Sequence, residues 1–287
     1  MKAPPFGYHV PRDLPQALAL LAELDEPRVL AGGQSLMPML NLRVAAPRHL
    51  IDLNRIPELA GIREQGDRVV LGAMTRQRDI EFSDVVARKL PLFAEAVRSV
   101  GHRQTRNRGT VGGSLCHLDP SAELPVACMA MDAVLEAQSR RGRRELAMRD
   151  FTAGFMTSAL QPDEILTAIA VRPWSGRVGT AFLEYARRHG DFAVVCVAVL
   201  IELDARGRGA RASVTLGGIA QGPVRVLEAE LALTGAPLDE ASIAAAARAC
   251  GEVEAMGDAF FPEWYRRQVA LSLSERALRT ALKRAAA

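Results

Sequence analysis

The sequence predicts an α+β protein built as two domains, and three observations carry that prediction. The chain has 287 residues, about twice the usual domain length of roughly 150 residues. Its 49% hydrophobic and 24% charged content is that of a globular chain with enough apolar material for a packed interior. Strand-like and helix-like stretches follow one another without strict βαβ alternation, and strands followed by helices close the chain.

The elements follow in order. Residues 13–24 set apolar side chains at helical spacing behind Asp13 as N-cap, with Pro15 in the first turn, which predicts an amphipathic helix. Arg28 to Ala31 reads as a short buried strand, Gly32 to Ser35 as a glycine turn, Leu36 onward as a helical turn, and His49 to Leu53 as a strand. Val69 to Ala73 reads as a strand, and Asp84 to Val100 as one or two helices interrupted at Pro91. Gly101 to Gly109 reads as a polar loop leading into a second glycine turn, Thr110 to Ser114. Ala122 to Met131 is helical in pattern, Ala133 to Ala137 a strand, and Ser139 to Arg144 a solvated hairpin tip. Pro, Gly and Ser gather over Arg172 to Gly179, which places a first domain at 1–177 and a second at 178–287. In the second, Thr180 to Arg187, Phe192 to Leu203 and Arg211 to Ile219 read as a three-stranded antiparallel sheet. Helices are expected there over Val226 to Thr234, Leu238 to Cys250 and Pro262 to Leu282.

Composition narrows the function. With 36 basic and 33 acidic residues the net charge is +3, too small an excess to argue for nucleic acid or a membrane surface as partner. The lysines are Lys2, Lys89 and Lys283, none preceded by glycine, which removes the P-loop. The longest apolar run, Phe192 to Ile201, is far short of the ~20 residues a spanning helix needs. The first residues lack a secretory h-region, so the expected location is cytoplasmic. Cys116, Cys128, Cys196 and Cys250 form no Cys-x-x-Cys pair and the histidines form no ligand motif, so buried thiols and no metal ligands are expected. Gly207, Gly209 and Ala212 match the dinucleotide fingerprint, but a strand follows where a helix must open, so the segment reads as a hairpin turn.

The two glycine turns, Ala31-Gly32-Gly33-Gln34-Ser35 and Thr110-Val111-Gly112-Gly113-Ser114, stand out together. Paired glycines let backbone approach a ligand without a Cβ in the way, and successive N–H groups pointing one way form an anion nest. Ser35, Thr110 and Ser114 would add hydroxyl donors, so two such nests could grip a pyrophosphate without lysine. Either pair alone could equally serve only a tight turn.

The flanks of both turns extend the pattern. The stretches Ala31 to Pro38, Leu50-Ile51-Asp52-Leu53-Asn54, Leu71 to Thr75, Gln104 to Gly113, Arg187 to Ala193 and Trp264 to Leu278 occur in the order of one family. The chain resembles the medium, FAD-binding subunit of the molybdenum hydroxylases, the group of carbon monoxide dehydrogenase, quinoline oxidoreductase and xanthine dehydrogenase. The resemblance implies a two-part FAD-binding domain of the vanillyl-alcohol-oxidase (PCMH) type, with subdomains at about 1–57 and 58–177, before the small α+β domain. It implies that Ala31, Gly32, Gly33, Gln34, Ser35 and Leu36 bind FAD with Thr110, Val111, Gly112, Gly113 and Ser114, the two turns holding the pyrophosphate. Glu123 would bond the ribityl or ribose hydroxyls, Leu166 would line the flavin or adenine pocket, and Phe192 would lie against the isoalloxazine. Ser114 stands where many members have Asn, Glu123 where many have Asp, and Phe192 where the carbon monoxide enzyme has Tyr; the set looks closer to the quinoline type.

The function the resemblance implies is electron transfer in an oxidoreductase, from an iron–sulfur subunit through FAD to an external acceptor. The molybdopterin cofactor would sit on a large partner subunit and two 2Fe–2S clusters on a small one, in an (αβγ)2 heterohexamer. No nucleophile, general base or metal set is visible in the chain itself, so no catalytic residue is assigned. An N-heterocyclic or similar aromatic compound is the expected substrate of the assembly. A carbon monoxide dehydrogenase medium subunit, a self-sufficient FAD oxidoreductase and a scaffold that has lost FAD are the alternatives.

Overall fold

The computed structural model describes all 287 residues. The chain opens with β1 (Gly7–His9), α1 (Leu14–Glu23), β2 (Pro27–Leu30), α2 (Leu36–Asn41), β3 (His49–Asp52), β4 (Ile62–Gln65) and β5 (Arg68–Gly72). A helical run follows: α3 (Gln77–Glu81), α4 (Asp84–Lys89), α5 (Pro91–Ser99), α6 (Arg103–Arg108), α7 (Val111–His117) and α8 (Glu123–Ala130). Then come β6 (Val134–Ser139), β7 (Gly142–Ala147), β8 (Thr152–Gly154), β9 (Thr157–Ser158) and β10 (Ile165–Val171). The last part holds β11 (Arg177–Tyr185), β12 (Val195–Leu203), β13 (Gly209–Gly217), β14 (Val224–Arg225), α9 (Leu227–Leu233), α10 (Glu240–Glu252) and α11 (Glu263–Ala286). No helix is long and apolar enough to cross a membrane.

Three main sheets organise these elements. A small parallel sheet has the order β1-β3-β2, a five-stranded antiparallel sheet β4-β5-β10-β6-β7, and a four-stranded antiparallel sheet β11-β12-β13-β14. Against the first, α1 buries Leu14, Ala17, Leu18 and Leu21 at helical spacing, packing onto Ile51 and Leu53. Its start is set by Asp13, whose carboxylate accepts from the Gln16 N–H at 2.8 Å. All eight residues of α8 are buried, which its sequence permits because no face is polar beyond Glu123 at its first turn. The helix packs with α5 against the inner face of the four-stranded sheet, and Val126, Leu124, Phe182, Cys196 and Ala198 share one core with the five-stranded sheet.

The helix α11 lies along β11 and β12. It approaches so closely that a Cβ on Gly179 would lie 1.8 Å from the Ala281 carbonyl oxygen. On the helix side the contact is made by small residues, Ala277, Ala281 and Ala285 among them.

Three expectations are corrected here. The second domain's sheet has four strands, because Val224 and Arg225 pair with Leu216 and Thr215 as a short edge too brief to show a period in sequence. The polar stretch Gly101 to Gly109 contains α6. That helix buries no residue and so leaves no apolar periodicity; Arg106 holds it, in a fork with Glu81 at 2.8 and 3.2 Å and in bonds to the carbonyls of Val100 and Gly101. The third is the second glycine pair, which lies inside the first turn of α7 rather than in a turn between elements. In addition, β10, the central strand of the large sheet, carries a nearly continuous apolar run with no alternation to mark it.

The Gly179 contact yields a stability test. Gly179→Val is expected to destabilise the chain by about 1–3 kcal/mol through overpacking. Gly154→Ala, where an added Cβ meets open space, is expected to shift stability by less than about 0.5 kcal/mol. Denaturant unfolding of the two variants measures both.

Candidate functional site

The first glycine segment leaves β2 and turns at Gly33, whose φ of +73° lies in the left-handed region. The N–H groups of Gly32, Gly33, Gln34 and Ser35 donate to no acceptor in the chain. Four consecutive unsatisfied donors around a left-handed residue make a nest for an anion. The Ser35 hydroxyl makes no capping bond to α2 and is also free. A cavity of about 340 Å³ opens beside the segment, lined by Gly33, Gln34, Met37, Tyr8, Asn54 and Arg108 among others. Leu36 is half-buried at the start of α2.

The second segment behaves differently. From Val111 onward its donors are spent inside the chain: Val111 N–H bonds the Thr75 carbonyl at 3.1 Å, Gly112 N–H that of Ala73 at 2.8 Å, and Ser114 N–H that of Thr110 at 3.2 Å. Thr110, the N-cap of α7, accepts from Gly113 N–H at 3.0 Å. The expected second nest is therefore absent, and the glycines serve close approach. A Cβ on Gly112 would lie 2.6 Å from the Ala73 Cβ, and one on Gly113 would lie 2.8 Å from Thr110 Oγ1 and 3.5 Å from the Ala31 Cβ. What this segment leaves for a ligand is a bare backbone surface and the Ser114 hydroxyl.

The two segments meet. A Cβ on Gly32 would lie 2.3 Å from the Arg108 carbonyl oxygen and 2.8 Å from the Gly109 Cα. With the 3.5 Å approach of Gly113 to the Ala31 Cβ, the start of the first segment lies against residues 108–113.

The other expected residues lie elsewhere. Glu123 is 7% exposed in the first turn of α8. Burial, aided by the nearby Glu184 carboxylate, pushes its pKa up to about 8. Burial likewise pushes Glu184 on β11 up to about 7, and its Oε2 is buried without a hydrogen-bond partner. Leu166 is 4% exposed in the interior of the large sheet's core, away from the residues lining the cavity. Phe192 is 74% exposed in the turn before β12, its ring free to be covered. His117 is half-buried, with burial lowering its pKa against the pull of Asp119. Arg106 is structural, and Arg108 faces the cavity.

Sequence reasoning missed Tyr8, Asp52, Asn54 and Arg76 as site residues. Asp52 and Asn54 sit within the stretch that carried the resemblance, so a signal for them existed; Tyr8, on the short β1, and Arg76 had none. The four cysteines are free thiols, and no cluster of His, Cys, Asp and Glu could hold a metal.

A diphosphate needs donors for its oxygens, and the segment offers four unsatisfied N–H groups in a row around the left-handed Gly33. Residues 4–174 match the FAD binding domain in molybdopterin dehydrogenase, and residues 180–281 the CO dehydrogenase flavoprotein C-terminal domain. The chain belongs to the FAD-binding medium subunits of the molybdenum hydroxylases, and is an oxidoreductase subunit. It is 39% identical over 287 residues to the 6-hydroxypseudooxynicotine dehydrogenase complex subunit alpha of Paenarthrobacter nicotinovorans, covering 99% of this chain and 97% of that one. It is 41% identical over 240 residues to the caffeine dehydrogenase subunit beta of a Pseudomonas strain, covering 83% and 81%. Among solved structures, carbon monoxide dehydrogenase from Hydrogenophaga pseudoflava superposes with a TM-score of 0.96 at 37% identity, over 99% of both chains.

Two measurements follow. Gly32→Val, which drives a side chain into the Arg108 backbone, and Gly33→Val, which strains a left-handed residue, are each expected to abolish FAD retention on gel filtration. Both are expected to leave the far-UV spectrum of the C-terminal half's elements in place. The second concerns pH. Glu123 and Glu184 hold protons in the folded chain that an unfolded carboxyl has already lost, so their contribution to stability is complete below the ordinary carboxylate range. It is lost as pH rises through about 7 and then about 8. The unfolding midpoint of the flavin-free chain is expected to fall between about pH 5 and pH 9, and Glu123→Gln to flatten that slope.

Proposed function

We propose that this chain is the electron-transfer subunit of its complex, taking electrons from an iron–sulfur partner subunit and delivering them through FAD to an external acceptor. The observation that supports this best is the run of four unpaired N–H groups at residues 32–35, set where the two glycine segments meet. When bound, FAD supplies the redox chemistry. The chain's residues hold and orient it: Ala31 to Leu36 with Thr110 to Ser114 flank the diphosphate, and the hydroxyls of Ser35 and Ser114 add donors. Glu123, which keeps its proton at neutral pH, both donates to and accepts from the hydroxyls of a ribityl or ribose chain. Phe192 offers an uncovered ring face for an offset stack against the flavin, and Leu166 backs the pocket from within the core. The flavin domain is assigned to 1–177, in parts 1–57 and 58–177, and the C-terminal α+β domain to 178–287.

The partners are a small iron–sulfur subunit and a large molybdopterin subunit in an (αβγ)2 assembly in the cytoplasm. Two similar proteins are named as subunits of dehydrogenases of 6-hydroxypseudooxynicotine and caffeine. Both names denote N-heterocyclic compounds, and the reading adopted for the assembly's substrate is a compound of that class.

The test is a visible absorption spectrum of the chain purified alone, saturated with FAD and passed through gel filtration. An oxidised-flavin spectrum with one FAD per chain, no iron–sulfur absorbance and no turnover of N-heterocycles by itself is the expected result. A chain that turns over substrate without partners would be a self-sufficient oxidoreductase instead.

A further inference from the structure

A hydrogen-bonded chain of side chains runs from the cavity lining to the Arg108 backbone beside the first glycine segment. The Tyr8 hydroxyl donates to Asp52 Oδ2, and Asp52 Oδ1 accepts from both the backbone N–H and the Nδ2 of Asn54. Asn54 Nδ2 also donates to the Ala31 carbonyl at 2.9 Å, while Asn54 Oδ1 accepts from Arg76 Nη2. Arg76 Nη1 then donates to the Arg108 carbonyl. Every polar atom of the Asn54 side chain is engaged. The chain of bonds begins on β1, crosses the end of β3, and ends on the residue that bridges to Thr110. Both of its backbone acceptors belong to residues of the Gly32 contact, Ala31 on one side and Arg108 on the other.

Peptide geometry gives this arrangement a consequence. In a planar trans peptide the C=O and the following N–H point in opposite directions. Holding the Ala31 carbonyl on Asn54 therefore turns the Gly32 N–H away from Asn54. The next two carbonyls are held as well: that of Gly32 accepts from Gln34 Nε2 at 3.2 Å, and that of Gly33 from Met37 N–H at 3.0 Å. The N–H groups of Gly33 and Gln34 are fixed in the same manner. Donors that are oriented before a ligand arrives cost no reorganisation on binding.

We propose that Tyr8, Asp52, Asn54 and Arg76 form a positioning relay that aims the Gly32 N–H, the first donor of the segment, at a diphosphate by pinning the Ala31 carbonyl, and that steadies the adjoining backbone by pinning the carbonyl of Arg108. The inference rests on the reading of this segment as the diphosphate site of FAD. Tyr8, Asp52 and Asn54 also line the cavity, whereas Arg76 does not and acts only through Asn54 and the Arg108 carbonyl. Asp52 is 8% exposed, so its bonds to Tyr8 and Asn54 are sheltered from water. Arg76 is the member that ties the first glycine segment to the second, and it does so from the strand-like stretch that accepts Val111 and Gly112.

The experiment measures FAD and ADP dissociation constants for the full chain and for Asn54→Ala, Arg76→Ala, the double variant and Tyr8→Phe, with the unfolding midpoint of each flavin-free protein. ADP carries the diphosphate and adenosine without the flavin, so a loss shared equally by FAD and ADP does not arise at the isoalloxazine. The relay predicts that Asn54→Ala and Arg76→Ala each weaken FAD and ADP alike by about tenfold. It predicts that the double variant is no weaker than about the weaker single, because both act through one clasp. Tyr8→Phe, half-exposed and unchanged in ring shape, is expected to weaken both ligands by about threefold with an unmoved unfolding midpoint. Variants that bind ADP as the parent chain does, or losses that simply add in the double variant, would overturn the relay. A parent chain that binds neither FAD nor ADP would overturn the diphosphate site itself, and is thereby distinguished from a failure of the relay.

Discussion

The backbone contact between Gly32 and Arg108–Gly109 is the constraint on which the rest of the site depends. Any Cβ at residue 32 would fall within 2.3 Å of a carbonyl oxygen that side-chain movement cannot relieve. The close approach sets the end of β2 against the junction of α6 and α7. The donors of residues 32–35 are left unpaired there, and bonds from Asn54 and Arg76 hold the carbonyls of Ala31 and Arg108. Glycine at 109 and 112 extends the same tight packing, against Gln77 and Ala73. Function and packing coincide here because an anion site made of backbone needs bare backbone on its surface, and the same bareness lets two segments touch.

A second constraint is the burial of α8. A helix with no polar face must be covered on every side, and α8 is covered by α5, α7 and the inner strands of the C-terminal sheet. Its first residue, Glu123, is carried into the interior with it and lies near Glu184 from β11. An ionised carboxyl there would be poorly solvated, so the proton stays on through neutral pH. The two domains therefore share both an apolar core and a protonated carboxyl at their seam.

Much of this was legible along the chain. The helix behind Asp13, the break at Pro91 and the hairpin from Ser139 announce themselves through period, cap and turn chemistry, all of which are local. The glycine pairs were visible too, and their flanks identified the family. What was read too simply was their equivalence: both carry Gly-Gly after an extended or polar stretch, yet one has four free donors in a row and the other is the first turn of a helix whose N–H groups from Val111 to Ser114 are all spent. The difference arises from Thr110 as cap and from the carbonyls of Ala73 and Thr75, which approach only because β5 brings them there.

Composition and local pattern were enough for the two-domain α+β class and for the lack of a P-loop, and the glycine pairs with their flanks marked the candidate residues at 31–36 and 110–114, because all of these rest on residue type and short-range spacing. Folding in three dimensions selected which donors remain free, placed Leu166 in the core and Phe192 at the surface, and joined Tyr8, Asp52, Asn54 and Arg76 into one chain of bonds. Those outcomes turn on contacts between residues more than 20 positions apart, and such contacts leave no period and no motif in the sequence that makes them.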